Sequence, residues 1–147
     1  MPAGSTYCIA EGMLRGPLQN YPSPDAMGGN YVTFDLRNQF LHPNHPLGWI
    51  RKLDIAIDGE VTSAAGSFFV LRRQWFPLSQ LRTITDVWWY MGEMATVYLK
   101  HPRLTSGPHA ISCRFAVSLF VNTPKIDLDD LWPSLPQDVS AELTCAG

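Results

Sequence analysis

Residues 109–122 read HAISCRFAVSLFVN, and the reading of this stretch decides the fold. Ile111, Cys113, Phe115, Val117, Leu119 and Val121 fall at every second position. Ala110, Ser112, Arg114, Ala116, Ser118 and Phe120 lie between them. Side chains two apart share one face of a β-strand, whereas a helix would spread these apolar groups around its whole circumference. The stretch holds no Gly or Pro, and Ser106-Gly107-Pro108 punctuates the chain just before it. The spacing predicts a long strand with one face in a core. Burying those side chains does not offset the entropy of ordering so much backbone, so the strand needs flanking strands and a second layer.

Working outward, the same period recurs. Over 31–40, Val32, Phe34 and Leu36 alternate with Thr33, Asp35 and Arg37; over 49–57, Leu53, Ile55 and Ile57 alternate with Asp54 and Ala56. Asp58-Gly59 then signals a hairpin turn that takes positive φ. Residues 68–71 and 74–76 read as a tight hairpin around Arg72-Arg73, and 77–81 as one helical turn opened by Pro77. Residues 85–91 are aromatic and strand-like, and 95–100 alternate again. Residues 7–14 suggest a short strand, while 17–29, 41–48 and 101–108, with their Pro and Gly, read as loops. Short strands without an alternating β–α pattern predict an all-β fold, an antiparallel β-sandwich of one domain over 1–122. An irregular tail follows over 123–147, with Pro124, Pro133 and Pro136 and the acidic Asp127, Asp129 and Asp130. Its apolar anchors, Ile126, Leu128, Leu131, Trp132 and Leu135, predict docking on the domain or on a partner subunit.

Composition narrows the function. Of the 147 residues, 46% are apolar and 16% charged, with a net charge of −2, so part of the surface is expected to be covered by a partner. No Lys/Arg cluster exceeds pairs such as Arg51-Lys52 and Arg72-Arg73, read as solvated strand ends, which argues against nucleic-acid binding. Cys8, Cys113 and Cys145 are scattered and odd in number, without zinc or disulfide spacing; Cys113 reads as core. The first residues lack the pattern of a secretory signal and no segment has the length of a membrane span, so the expectation is a cytoplasmic protein.

Candidate chemistry is sparse. His42 and His45 are three apart, but Pro43 and Pro46 forbid a helix that would align them, leaving only a loop site. His101 and His109 flank a turn and are expected to be exposed. Asp54 and Asp58, outward on one strand, lie roughly 13 Å apart, too far to cooperate as acid and base. No GxSxG, HExxH or Walker glycine loop occurs. Glu93 follows Trp88, Trp89 and Tyr90 at a Gly92 turn, where a structural hydrogen-bonding role is the better reading. Trp75, Phe76, Trp88, Trp89 and Tyr90 are open to two readings: core or subunit interface, which is preferred, or a sugar-stacking platform. The second would make the chain a stand-alone carbohydrate-binding module.

Read together, residues 49–121 resemble the small β subunit of the bacterial C-glycoside deglycosidases. The similarity lies in the order of short pieces: IRKLDIAIDGE at 50–60, FFVL at 68–71 followed by FPLSQL at 76–81, DVWWYMGEMA at 86–95, KHPRL at 100–104 and GPH at 107–109. The loop Pro102-Arg103-Leu104 departs from the family pattern in lacking glycines. The resemblance implies a β-sandwich accessory subunit paired with a larger TIM-barrel α subunit in a hetero-oligomer. It implies no catalytic or metal residue and no cofactor in this chain. The α subunit would hold a divalent metal, manganese by the resemblance, and the acid/base residues. The substrate would be a C-glycoside already oxidised to a 3-oxo sugar, such as a flavonoid C-glycoside, and the reaction a lyase-type cleavage of the bond to the aglycone. The residues expected at the partner interface or the site entrance are Trp75, Trp88, Trp89, Glu93, His42, His45 and Trp132, with the loops 41–48 and 101–107 near the mouth of the partner's site.

Overall fold

The computed structural model describes residues 9, 11–22, 30–40, 44–84, 86–117 and 135–146. Among them the chain forms β1 (Leu14–Pro22), β2 (Asn30–Arg37), β3 (His45–Pro46), β4 (Ile50–Ile57), β5 (Glu60–Val61), β6 (Phe68–Leu71), β7 (Gln74–Pro77), β8 (Trp88–Trp89), β9 (Met94–Lys100), β10 (Gly107–Val117) and β11 (Leu135–Cys145). The only helical segments among the described residues are 3-10 turns at Leu47–Trp49 and Leu78–Thr83. The expected all-β architecture is the one that forms.

Alternation does what it predicts. On β10, Ile111, Cys113, Phe115 and Val117 are buried, while Ala110, Ser112 and Arg114 face solvent. Burial pushes the Cys113 thiol up to about 12. On β4, Ile50, Leu53, Ile55 and Ile57 all face inward although Ile50 and Leu53 are three apart. A register shift between Ala116 and Val117 of β10 resets the phase there.

The strands form one nine-stranded sheet, ordered β5-β4-β10-β11-β1-β2-β9-β6-β7, with β3 and β8 as a separate ribbon. The sheet curls so that its halves share one core. Phe115 meets Phe40 at 5.3 Å between ring centroids, Phe40 meets Trp89 at 5.9 Å, and Trp89 meets Phe69 at 5.2 Å. The sandwich is therefore one sheet folded over on itself. Its pairing is antiparallel except where β1 meets β11 in parallel at Leu18↔Cys145.

Three expectations are corrected. The tail is not irregular to its end: β11 pairs with β10 from Val117↔Leu135 to Gly107↔Cys145. Val139, Leu143 and Cys145 face the core, but the polar Gln137 and small Ala141 share that face and dilute the apolar signal. The loop placed at 17–29 begins later, because residues 17–22 belong to β1. Pro17 falls in the register shift between Arg15 and Gln19, where its missing N–H removes no ladder bond. The aromatic strand placed at 85–91 shrinks to Trp88–Trp89, held by β3.

Candidate functional site

Trp88, Trp89 and Glu93 meet at one corner of the fold. β8 pairs with β3, setting His45 opposite Trp89 and Pro46 opposite Trp88. Trp89 points inward and is fully buried, its Nε1–H donating to the Glu93 carbonyl at 2.9 Å. Trp88 is 41% exposed. Gly92, at φ 77°, reverses the chain and returns Glu93 over the corner. Buried Asn38 ties the pieces together. Its Nδ2 donates to the Trp89 carbonyl at 2.9 Å and its backbone N–H to the Glu93 carbonyl at 3.0 Å, while its own carbonyl accepts from Gly92 N–H at 2.9 Å.

Arg72 closes the corner from the β6–β7 turn. Its Nη1 bonds the Glu93 carboxylate, its Nη2 donates to the Trp88 carbonyl at 2.7 Å, and its guanidinium lies 5.3 Å from the centre of the Tyr90 ring. Glu93 Oε1 also accepts the Tyr90 N–H at 3.0 Å. Arg72 and Arg73 both take positive φ, 49° and 68°, the twist that a two-residue hairpin demands and that side chains resist. Arg72 is thus no solvated strand end. Nor is Arg51, whose Nη1 donates to the carbonyls of Gly48 at 2.9 Å and Arg82 at 3.1 Å.

The chemistry of this corner is that of a scaffold. A general acid or base needs an oxygen open to the reacting proton. Both Glu93 oxygens face the Arg72 guanidinium and Oε1 also accepts the Tyr90 N–H, so the side chain organises the turn. Beside it opens a cleft of about 440 Å³, lined among others by Glu11, Arg37, Asn38, Gln39, Phe40 and Met91. Among the described residues no three His, Cys, Asp or Glu side chains gather as a metal ion would require.

Trp75 is not part of the corner. It is 51% exposed on the outer face of β7, packed against Tyr98 at 4.4 Å and Phe68 at 5.5 Å between centroids. His45 is placed at the corner through its backbone. His42 and Trp132 lie outside the described residues.

One pair was illegible from spacing. Asp58 and His109, fifty-one positions apart, meet at 2.7 Å between Oδ2 and Nδ1. Asp58 Oδ1 accepts the Ala110 N–H at 2.9 Å, and His109 Nε2 faces the Thr105 carbonyl at 2.8 Å. Both ring nitrogens face acceptors, so only the protonated ring donates to both. The hydrogen bond that His109 donates to Asp58, then the one to the Thr105 carbonyl, raises the His109 pKa above 6.5; accepting from His109, then from the Ala110 N–H, lowers Asp58 below 3.8. The expected exposure of His109 does not hold: its side chain is 11% exposed. The signal available in sequence was the DG turn and the GPH triplet, both facing the same strand end.

The described residues define an all-β domain carrying one hydrogen-bonded aromatic corner. Residues 18–119 match the family described as C-glycoside deglycosidase beta subunit, and the chain belongs to that family. It is thereby one subunit of a hetero-oligomeric deglycosidase and has a partner subunit. Comparison with curated proteins finds no match.

Proposed function

We propose that this chain is the non-catalytic accessory subunit of a C-glycoside deglycosidase, stabilising a TIM-barrel α subunit and shaping the entrance to its active site. Family membership carries the reading. The engagement of Glu93, the candidate carboxylate at the aromatic corner, with Arg72 and the Tyr90 N–H supports the non-catalytic part of it.

The substrate is a C-glycoside bearing a 3-oxo sugar and an aromatic aglycone. The ketone acidifies the adjacent C2–H, and a base on the α subunit takes that proton. A divalent metal in the α subunit, manganese by resemblance, supplies polarisation of the sugar oxygens. The electron pair from C2 forms the C1–C2 double bond as the C1–aglycone bond breaks, and the aglycone carbon is protonated as it leaves. Atoms balance without an oxidant, which makes this a lyase reaction, and a cytoplasmic setting suits it. In this scheme the present chain moves no proton; it holds its partner in shape.

The test is turnover of a 3-oxo C-glycoside by the α subunit with and without this chain, and with the Glu93→Gln variant. The expected result is activity that needs the chain and, with Glu93→Gln, keeps its kcat and pH profile within about threefold. Activity of the α subunit alone at the full rate contradicts the accessory role. A loss of kcat of ~10³-fold in Glu93→Gln, with assembly intact, contradicts the non-catalytic one.

A further inference from the structure

The two outer faces of the curled sheet are chemically unlike. On the β4–β10–β11 half, outward positions pair small and charged residues: Ser112 opposite Ser140, Ala110 opposite Glu142, and Arg114 opposite Asp138. Arg114 Nε meets Asp138 Oδ1 at 2.7 Å with both side chains about two-thirds exposed, at 67% and 66%. That is a solvent face.

On the β1–β2–β9–β6–β7 half, one part of the outer face is an aromatic cluster, while Gln19, Thr33, Asp35 and Thr96 occupy the rest, with Thr96 Oγ1 donating to Asp35 Oδ1 at 2.8 Å. Tyr98 stands at the centre, 5.6 Å from Tyr21, 6.1 Å from Tyr31 and 4.4 Å from Trp75 between centroids, and Phe68 joins Tyr31 to Trp75. Charge flanks the aromatic cluster, with Lys100 opposite Tyr31 on one side and Asp35 opposite Thr96 and Arg37 opposite Met94 on the other. An aromatic centre with a charged margin is the composition of an interface core and rim.

The rings favour a protein over a sugar. Tyr21 and Tyr31 meet Tyr98 edge-on, at 83° and 74°, and Phe68 meets Trp75 at 71°. Such interlocked rings make a relief of ridges, whereas sugar stacking wants ring faces laid open side by side. The size is that of an interaction site. With about seven residues each from β1, β2 and β9 and four each from β6 and β7, at ~3.3 Å per residue and ~4.8 Å between strands, the face projects roughly 450 Å² before ring relief is counted. A standard interface takes about 800 Å² of accessible surface from each partner, and exposed apolar patches of a few hundred Å² mark interaction sites.

We infer that this aromatic face, centred on Tyr98 and Trp75, is the surface on which the partner subunit of the deglycosidase seats. The inference rests on the accessory-subunit reading above and adds to it the place of contact.

The experiment is hydroxyl-radical footprinting of the chain alone and co-expressed with its α subunit, read residue by residue by mass spectrometry. It is paired with two charge variants of the complex, Trp75→Glu/Tyr98→Glu on the aromatic face and Ser112→Glu/Ser140→Glu on the polar one. The expected result is at least threefold slower oxidation of Trp75 and Tyr21 in the complex. The aromatic-face variant is expected to lose co-purifying partner at least tenfold, and the polar-face variant to keep it. Trp75 is half exposed, so its substitution leaves the core in place. Equal oxidation in both states overturns the inference and leaves the accessory role standing. Protection already present in a homodimer of the chain, or protection conferred by added oligosaccharide, assigns the face to another occupant and also overturns it. Failure of the wild-type chain to join any α subunit overturns the reading on which it rests.

Discussion

Arg72 shows what a single residue does here. It accepts a left-handed backbone in a two-residue turn and from there holds Glu93, the Trp88 carbonyl and the Tyr90 ring. Its neighbour Arg73 carries the same backbone strain at φ 68°. Arg73→Gly is therefore expected to stabilise the chain, by about 0.5–1 kcal/mol in a urea titration, since glycine adopts that φ freely. The Asp58–His109 pair gives a pH signature. His109 is raised above 6.5, so its contribution is full below that pH and is lost as pH rises through its folded value; Asp58 is lowered below 3.8, so its contribution is full above that pH and is lost as pH falls through its folded value. The Tm gap between wild type and His109→Ala is expected to be widest between these two values and to narrow at alkaline pH. Cys113, pushed up to about 12, is expected to resist alkylation in the native chain at neutral pH and to react on unfolding, as peptide mapping would show.

At the scale of elements, Trp89 is the keystone of the corner. Fully buried between Phe40 and Phe69, it also spends its indole N–H on the Glu93 carbonyl. Trp89→Ala is expected to cost about 3–5 kcal/mol, read from the shift in urea midpoint. Gly48 is a second fixed point: an added Cβ would lie 2.9 Å from the Ile84 carbonyl, which already accepts the Gly48 N–H. Gly48→Ala should therefore destabilise by about 1–3 kcal/mol in the same titration. Elements with strict alternation were legible in the sequence, as β4, β9 and β10 show by burying Ile55, Val97 and Phe115 as their spacing predicts. Elements whose inward residues are small or polar, or whose run is cut by proline, were not. β11 hides its period behind Gln137 and Ala141, and β1 carries Gly16 and Pro17 in mid-strand. Of the corner, the sequence offered Trp88, Trp89 and Glu93 as neighbours, because they are local. The closing residues, Asn38 and Arg72, reach it only through tertiary pairing, which spacing does not encode.

For the whole molecule, the asymmetry between an outer face that bears an aromatic cluster and one that does not follows from the same alternation: each strand buries one side, and what the other side carries is free to serve a neighbour. A β subunit of a deglycosidase needs such a face, and its low charge content, 16%, is consistent with surface withheld from water. As the accessory subunit proposed above, this chain acts only as part of a mixed complex. The most direct test is the mass, by light scattering, of what purifies when the chain is co-expressed with the α subunit. A stable hetero-oligomer containing both chains is predicted; a soluble monomer of this chain, eluting apart from the α subunit, would overturn the accessory role.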